Sequence, residues 1–457
     1  MTLGWIVLFL VTSLIVTKRS AQGLVVKPMQ WYLALLLLIL LGGFSLVEYL
    51  IFGEKGITNR WTLAVLSEEN VYLFSSLWFI SAASFAVAAI LTHVAPMRTT
   101  STWNKLRVWE RHELNIAVHI AFALALFSAM HEGYFTLLRG VERTAAMWIG
   151  YERDLESVSL PYKDIFFVYF ALLLMWIETQ PKRQRKLIKY LHVLFATVFM
   201  AFSVLRGGRL IVMEALLAWL IFNLWKGRGV RLKTLVGYGV LAVGVLVAFY
   251  SFRDAALSLI TDGIPPSVDF GRLSLLQADA GGHMYVTIKA YTEGWRLPLE
   301  LMPGGSALLG AVIGLIPRII IPWKPHTIVY LFNVTFGGLY IGGGHGMNIV
   351  ADGVFNFGRQ FFFVQALLIG SIVGLFDRLR LSRRRFGSTL YVSCASIVIY
   401  AVIADFGQFL QVIMWRLISL FVVMTLTQIV GLGSLRSAAV RANAGNRKGV
   451  SLDGPAW

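Results

Sequence analysis

Long apolar runs recur along the chain, broken by short polar connections. Runs of about 15–22 residues approach the length that crosses a bilayer as a helix. Eleven of them fall near residues 2–16, 31–52, 73–94, 114–130, 161–179, 187–205, 210–225, 234–252, 360–376, 387–404 and 410–432. They predict an all-α polytopic membrane protein with a single transmembrane domain over residues 1–432. The opening MTLGWIVLFLVTSLIVTKRS has no positive residue ahead of its apolar run and no small-residue cleavage site. It reads as a first span rather than a secretory signal.

Two connections are too long to be simple turns. Residues 131–160 mix charges with scattered apolar positions and predict an amphipathic helix on the membrane surface. Residues 253–359 form a loop long enough to carry function of its own. Within it, Ser306–Ile316 is apolar but too short to span, and Pro317 and Pro322 stop a helix from continuing. That predicts a re-entrant or interfacial helix, with the long loop closing over a cavity. The tail, residues 433–457, is polar and small-residue-rich, and reads as disordered.

Composition supports this reading: 57% of the 457 residues are hydrophobic and 14% charged. So few charges could not cover so much apolar surface in water. The single cysteine, Cys394, excludes an intrachain disulfide. A net charge of +17 suggests nucleic acid until its distribution is followed. Alternate connections (17–30, 95–113, 180–186, 226–233, 377–386 and the tail) hold 24 of the 41 Lys and Arg and only four acids. The opposite set holds 14 basic and 16 acidic residues over twice the length. Basic connections stay in the cytoplasm, which predicts an outside N-terminus and an inside C-terminus. The basicity is therefore a topology signal that also favours anionic lipid, and no nucleic-acid partner is expected.

Candidate chemistry gathers at the outer connections. Arg206-Gly207-Gly208-Arg209 is the turn between two spans. Two planar guanidiniums beside glycines suit a phosphate clamp, or they are two snorkelling arginines at a tight turn. Arg416 and Glu214 lie inside spans at similar depth, about 9 Å down for Arg416. Such residues either serve function or pair with each other. The glycine-rich stretch Gly337–Arg359 holds His345 and Asp352, the usual kinds of group for accepting a hydroxyl proton. If residues 348–358 are helical, Asp352 and Asn356 share a face. There is no Asp-x-Asp pair, clustered metal-ligand spacing, P-loop or Gly-x-Ser-x-Gly motif, so the substrate must bring the energy for any reaction.

These features resemble the repeat-unit polymerases of bacterial surface polysaccharide assembly, the O-antigen polymerase (Wzy-type) family. The resemblance rests on the many spans, the Arg206–Arg209 turn and the one large late loop. It rests also on the stretch from Gly342 that ends Ala351-Asp352-Gly353-Val354-Phe355-Asn356-Phe357-Gly358, and on Pro317-Arg318 with Pro322-Trp323-Lys324-Pro325. It implies a GT-C-like, metal-independent glycosyltransferase of the bacterial inner membrane that needs no cofactor and faces the periplasm. Donor and acceptor would be glycans on undecaprenyl pyrophosphate, with a chain-length regulator in the membrane as a further partner. Arg206 and Arg209 would hold the pyrophosphate. His345 ranks first as the base and Asp352 second; Asp352 could instead orient the acceptor sugar with Asn356 beside it. Arg272, Arg318, Lys324 and Arg416 are candidate donors to glycan or phosphate, or else, for the three in the loop, charges on a solvated surface. His283 is the fallback base. An O-antigen ligase and a lipid-linked oligosaccharide flippase are the rival readings.

Overall fold

The structure, a computed structural model, describes residues 1–20, 23–26, 29–53, 60–94, 109–139, 161–179, 186–205, 210–226, 230–231, 237, 279–298, 300, 307–314, 316, 328–336, 347–379 and 385–448. Along the chain run α1 (Thr2–Val16), two short strands β1 (Thr17–Ser20) and β2 (Gly23–Val26), then α2 (Gln30–Leu38). A π-helical turn (Ile39–Phe44) joins α2 to α3 (Ser45–Phe52). After α4 (Arg60–Leu63) come α5 (Glu68–Val94), α6 (Arg111–Arg139), α7 (Tyr162–Thr179), α8 (Lys186–Leu205), α9 (Leu210–Trp225) and β3 (Val230–Arg231). The second half holds α10 (Asp279–Glu293), α11 (Ala307–Gly314), α12 (Ile328–Phe336), α13 (Ile349–Phe361) and α14 (Phe363–Leu379). It closes with α15 (Arg385–Ser393), α16 (Ile397–Ile403) and α17 (Phe406–Lys448).

This is an all-α membrane protein. Among the described residues, five helical stretches are long and apolar enough to cross a bilayer: Gln30–Phe52, Glu68–His93, Arg111–His131, Arg385–Ile403 and Phe406–Gly431. Thr2–Val16 and Ile211–Asn223 are shorter apolar helices. The run at 234–252 lies outside the described residues.

Helix α7 is enclosed by α6, α8, α9, α15 and α17. Phe166, Phe167, Val168, Tyr169, Ala171, Leu172 and Trp176 are all buried, so its apolar residues face protein nearly all round. Phe166 stacks on Phe199 of α8 with ring centroids 4.0 Å apart. Helices α5 and α14 approach most closely, and small residues allow it. A Cβ on Gly370 would meet the Phe85 carbonyl oxygen at 2.5 Å, and one on Gly374 the Ala89 carbonyl oxygen at 2.5 Å. Ala366, Gly370 and Gly374 follow at four-residue spacing, the pattern that lets membrane helices touch backbone to backbone. The π-turn uses glycines similarly: Gly42 and Gly43 lie against the ring of Trp5, and Gly42 also against Trp78.

The connections sort onto two ends. At one end Asp377 accepts the backbone N–H groups of Gln30 (2.8 Å) and Trp31 (2.9 Å), capping α2, while Arg385 pairs with Glu113 at 2.8 Å. Lys226 pairs with Glu178, and β2 joins β1 to β3 in one antiparallel sheet. These contacts link elements that border the Lys/Arg-rich connections. The other end, called the mouth below, gathers α10, α13 and the Ala404–Phe406 corner.

Three expectations change. Residues 253–359 are not a loop with one short apolar helix: their described part contains α10 to α13, and Met284, Val286, Ala290, Ile349, Val350 and Ala351 lie in the core. Their apolar stretches are shorter than a span, so length alone made them read as loop. Within the apolar run at 306–316, Ala307–Gly314 form α11, packed on α17 with Leu309 and Val312 exposed. Residues 131–139 are no separate surface helix but the last turns of α6, since one glycine, Gly133, is too weak a break to end it. The remainder of 131–160 lies outside the described residues. The tail continues α17 as far as Lys448, because its alanine- and arginine-rich sequence propagates a helix already nucleated by the preceding span.

Candidate active site at the mouth of the bundle

Helix α13 begins at Asn348, whose side-chain Oδ1 accepts from the N–H groups of Val350 (3.1 Å) and Ala351 (3.0 Å). Asparagine is a preferred N-cap because its carbonyl satisfies otherwise orphaned donors. The same side chain is held from behind: Asn348 Nδ2 donates to Thr287 Oγ1 of α10 at 3.2 Å, and Thr287 accepts from Trp78 Nε1 of α5 at 3.1 Å. A chain of polar contacts thus fixes where α13 starts relative to two other helices. At its far end Gly358 has φ of 78°, which breaks the helix before α14. Gly353 allows the return, since a Cβ there would meet the Phe362 carbonyl oxygen at 2.3 Å.

Asp352 and Asn356 do share a face of α13, and both reach Gln365 on α14. Gln365 Nε2 donates to Asp352 Oδ2 at 2.8 Å, while Asn356 Nδ2 donates to Gln365 Oε1 at 3.2 Å. Asp352 Oδ2 also accepts the backbone N–H of Phe406 at 2.9 Å, and Asp405 Oδ1 caps the same helix start by accepting from Gln408 N at 2.9 Å. Asp352 is 2% exposed. It lies outside the five candidate spans. Burial first, and the neighbouring Asp405 carboxylate second, push its carboxyl up to about 8. At neutral pH Asp352 is therefore mostly a neutral acid, sealed from solvent and clamping α13 to the start of α17. That geometry suits a positioning group better than a proton acceptor.

A second polar cluster lies deeper. Arg416 of α17 is 1% exposed and donates through Nη2 to Glu214 Oε2 at 2.6 Å, through Nε to Asp164 Oδ1 at 3.1 Å, and through Nη1 to the Ser393 carbonyl. Its guanidinium sits 4.5 Å from the Phe167 ring centroid, and Tyr400 donates to Glu214 at 3.3 Å. Every guanidinium nitrogen has a protein partner. The structure thus realises the pairing of Arg416 with Glu214 and adds Asp164 of α7. Ten residues of helix separate Arg416 from Phe406, about 15 Å, so this cluster and the Asp352 clamp are distinct.

Arg206, Arg209, Arg272, Arg318, Lys324 and His345 lie outside the described residues. His283 is described on α10, where its ring lies 6.1 Å from that of Trp78. Among the described residues no three His, Cys, Asp or Glu side chains come together as a metal-ligand set.

Sequence reasoning missed Asp405, Gln365, Thr287, Trp78 and Asn348. Two signals were legible: Asp405 directly precedes the last apolar run, where an N-cap belongs, and Gln365 interrupts a span. Nothing local marks Thr287 or Trp78. Comparison with family models, with curated proteins and with solved structures finds no match.

Proposed function

We propose that this protein is a lipid-linked glycosyltransferase that polymerises oligosaccharide repeat units carried on undecaprenyl pyrophosphate. The observation that carries the reading is the Gly342–Gly358 stretch, whose similarity to the polymerase family ends on Asp352 and Asn356. In support, those two side chains lie on one helix face and are tied together through Gln365. In this reading the chain crosses the bacterial inner membrane eleven times, with its mouth to the periplasm and its Lys/Arg-rich connections in the cytoplasm.

The chemistry divides among the residues as follows. Arg206 and Arg209 hold the donor pyrophosphate and stabilise charge on it as it leaves. His345 takes the proton from the acceptor hydroxyl as that oxygen attacks the anomeric carbon. Asp352 acts through Gln365, which fixes the amide of Asn356; the Asn356 Oδ1 atom is buried and has no hydrogen-bond partner among the described residues. The wild-type protein in proteoliposomes, supplied with a lipid-linked repeat unit, should produce a ladder of polymer. His345→Ala should abolish it, and Arg206→Lys and Arg209→Lys should shorten or lose it, because charge remains while the bidentate fork is gone. Absence of polymer from the wild-type protein with authentic donor and acceptor would refute the assignment.

A further inference from the structure

The corner where α10 ends against the end of α13 carries chemistry that the glycosyl-transfer reading does not use. Lys289 and Glu293 form an ion pair on the last turn of α10, and Arg296 Nη1 donates to Glu293 Oε2 at 2.7 Å. Arg359 reaches across from α13, its Nη2 donating to the Thr292 carbonyl at 2.7 Å. Both guanidiniums lie near rings, Arg359 5.7 Å from the Tyr291 centroid and Arg296 5.8 Å from that of Phe336. Three cations against one carboxylate leave the corner at +2. A helix C-terminus attracts cations by itself. That accounts for Lys289, but not for Arg359, which comes from another element.

Beside these cations stands Trp295, 79% exposed, the most exposed large apolar side chain among the described residues. Phe361 is 57% exposed two residues before α14, an apolar helix, begins. An indole so uncovered in water is unfavourable, whereas indole rings collect where hydrocarbon meets headgroups. Guanidinium forks match phosphate oxygens, and the side chain of Arg296 is half exposed with donors to spare.

We propose that this corner is a phospholipid-headgroup site, with Trp295 and Phe361 at the hydrocarbon boundary and Arg296 and Arg359 on the phosphate of an anionic lipid. It pins α10 and α13, and with them Asp352, at one depth in the bilayer. The proposal rests on the protein being in a membrane and not on the polymerase reading, and its test measures no turnover.

Cys394, the single cysteine, is buried, so Trp295→Cys supplies the one accessible thiol of the full-length protein. A spin label there, in nanodiscs of phosphatidylcholine with phosphatidylglycerol, should be relaxed by oxygen and shielded from an aqueous nickel complex. Unlabelled protein should carry bound phosphatidylglycerol through native mass spectrometry. In Arg296→Gln/Arg359→Gln that bound share should fall severalfold. A label open to aqueous nickel would overturn the placement at the boundary, as would protection that only a soluble glycan confers. Unchanged phosphatidylglycerol retention in the double variant would overturn the phosphate contact.

Discussion

Gly374→Ala should destabilise the protein, although alanine is the better helix former. Alanine in place of glycine within a helix ordinarily stabilises by about 0.5–1 kcal/mol. At this position the new Cβ would stand 2.5 Å from the Ala89 carbonyl oxygen and 2.1 Å from Thr92 Oγ1. The hydroxyl could rotate away; the carbonyl belongs to the backbone of α5 and cannot. Restoring ordinary contact requires the helices to part by about 1 Å, which loosens the buried seam of Ala82, Ala86, Ala89 and Ala366. Overpacking of this kind costs about 1–3 kcal/mol and exceeds the propensity gain. Gly133→Ala is the matched control, since a Cβ there meets nothing within 4 Å and the residue is likewise helical. Thermal unfolding in detergent, followed by tryptophan fluorescence, should place Gly374→Ala below the wild type and Gly133→Ala at or above it. Equal midpoints for the two variants, or a rise for both, would refute close packing of α5 on α14.

Asp352 binds a proton on folding, because its folded pKa of about 8 lies above the ordinary 3.8. Its contribution to stability is thus complete below pH 4 and lost as pH rises towards 8; Asp352→Asn should flatten unfolding temperature against pH over that window, and unchanged slopes would remove the clamp. Arg416→Ala strands two carboxylates that share one guanidinium, so a loss of about 3–5 kcal/mol is expected, larger than for Glu214→Gln; near-normal unfolding of Arg416→Ala would show the network to be dispensable. Asn348→Ala should cost about 1 kcal/mol at the cap and speed amide exchange at Val350 and Ala351, whereas Asn348→Asp should keep the cap and lose the donations to Thr287 and the His283 carbonyl.

What the sequence determined by itself is the class of molecule and the position of its long helices. Both follow from local physics: a helix that must satisfy its own backbone in lipid announces itself as an unbroken apolar run. The alternation of basic connections is equally local, a property of the sequence alone. The shared face of Asp352 and Asn356 was legible from four-residue spacing. Even the closest helix contact was written in the spacing of Gly370 and Gly374, though not which helix it would meet.

Only the tertiary structure decided what those residues touch. Asp352 reads as a possible base in sequence because an aspartate at a mouth is chemically able to be one. Its burial against Phe406, fifty-four residues onward, turns it into a neutral clamp, since the cost of charging a carboxyl depends on what surrounds it. Arg416 reads as a candidate phosphate ligand until Glu214 and Asp164 take up its guanidinium from two other helices. The short helices α10, α12 and α13 have too few apolar residues to announce membership of the core, and they enter it because longer helices already provide the surface they cover. Periodicity and charge are properties of a segment, whereas protonation and pairing are properties of the neighbours that folding supplies.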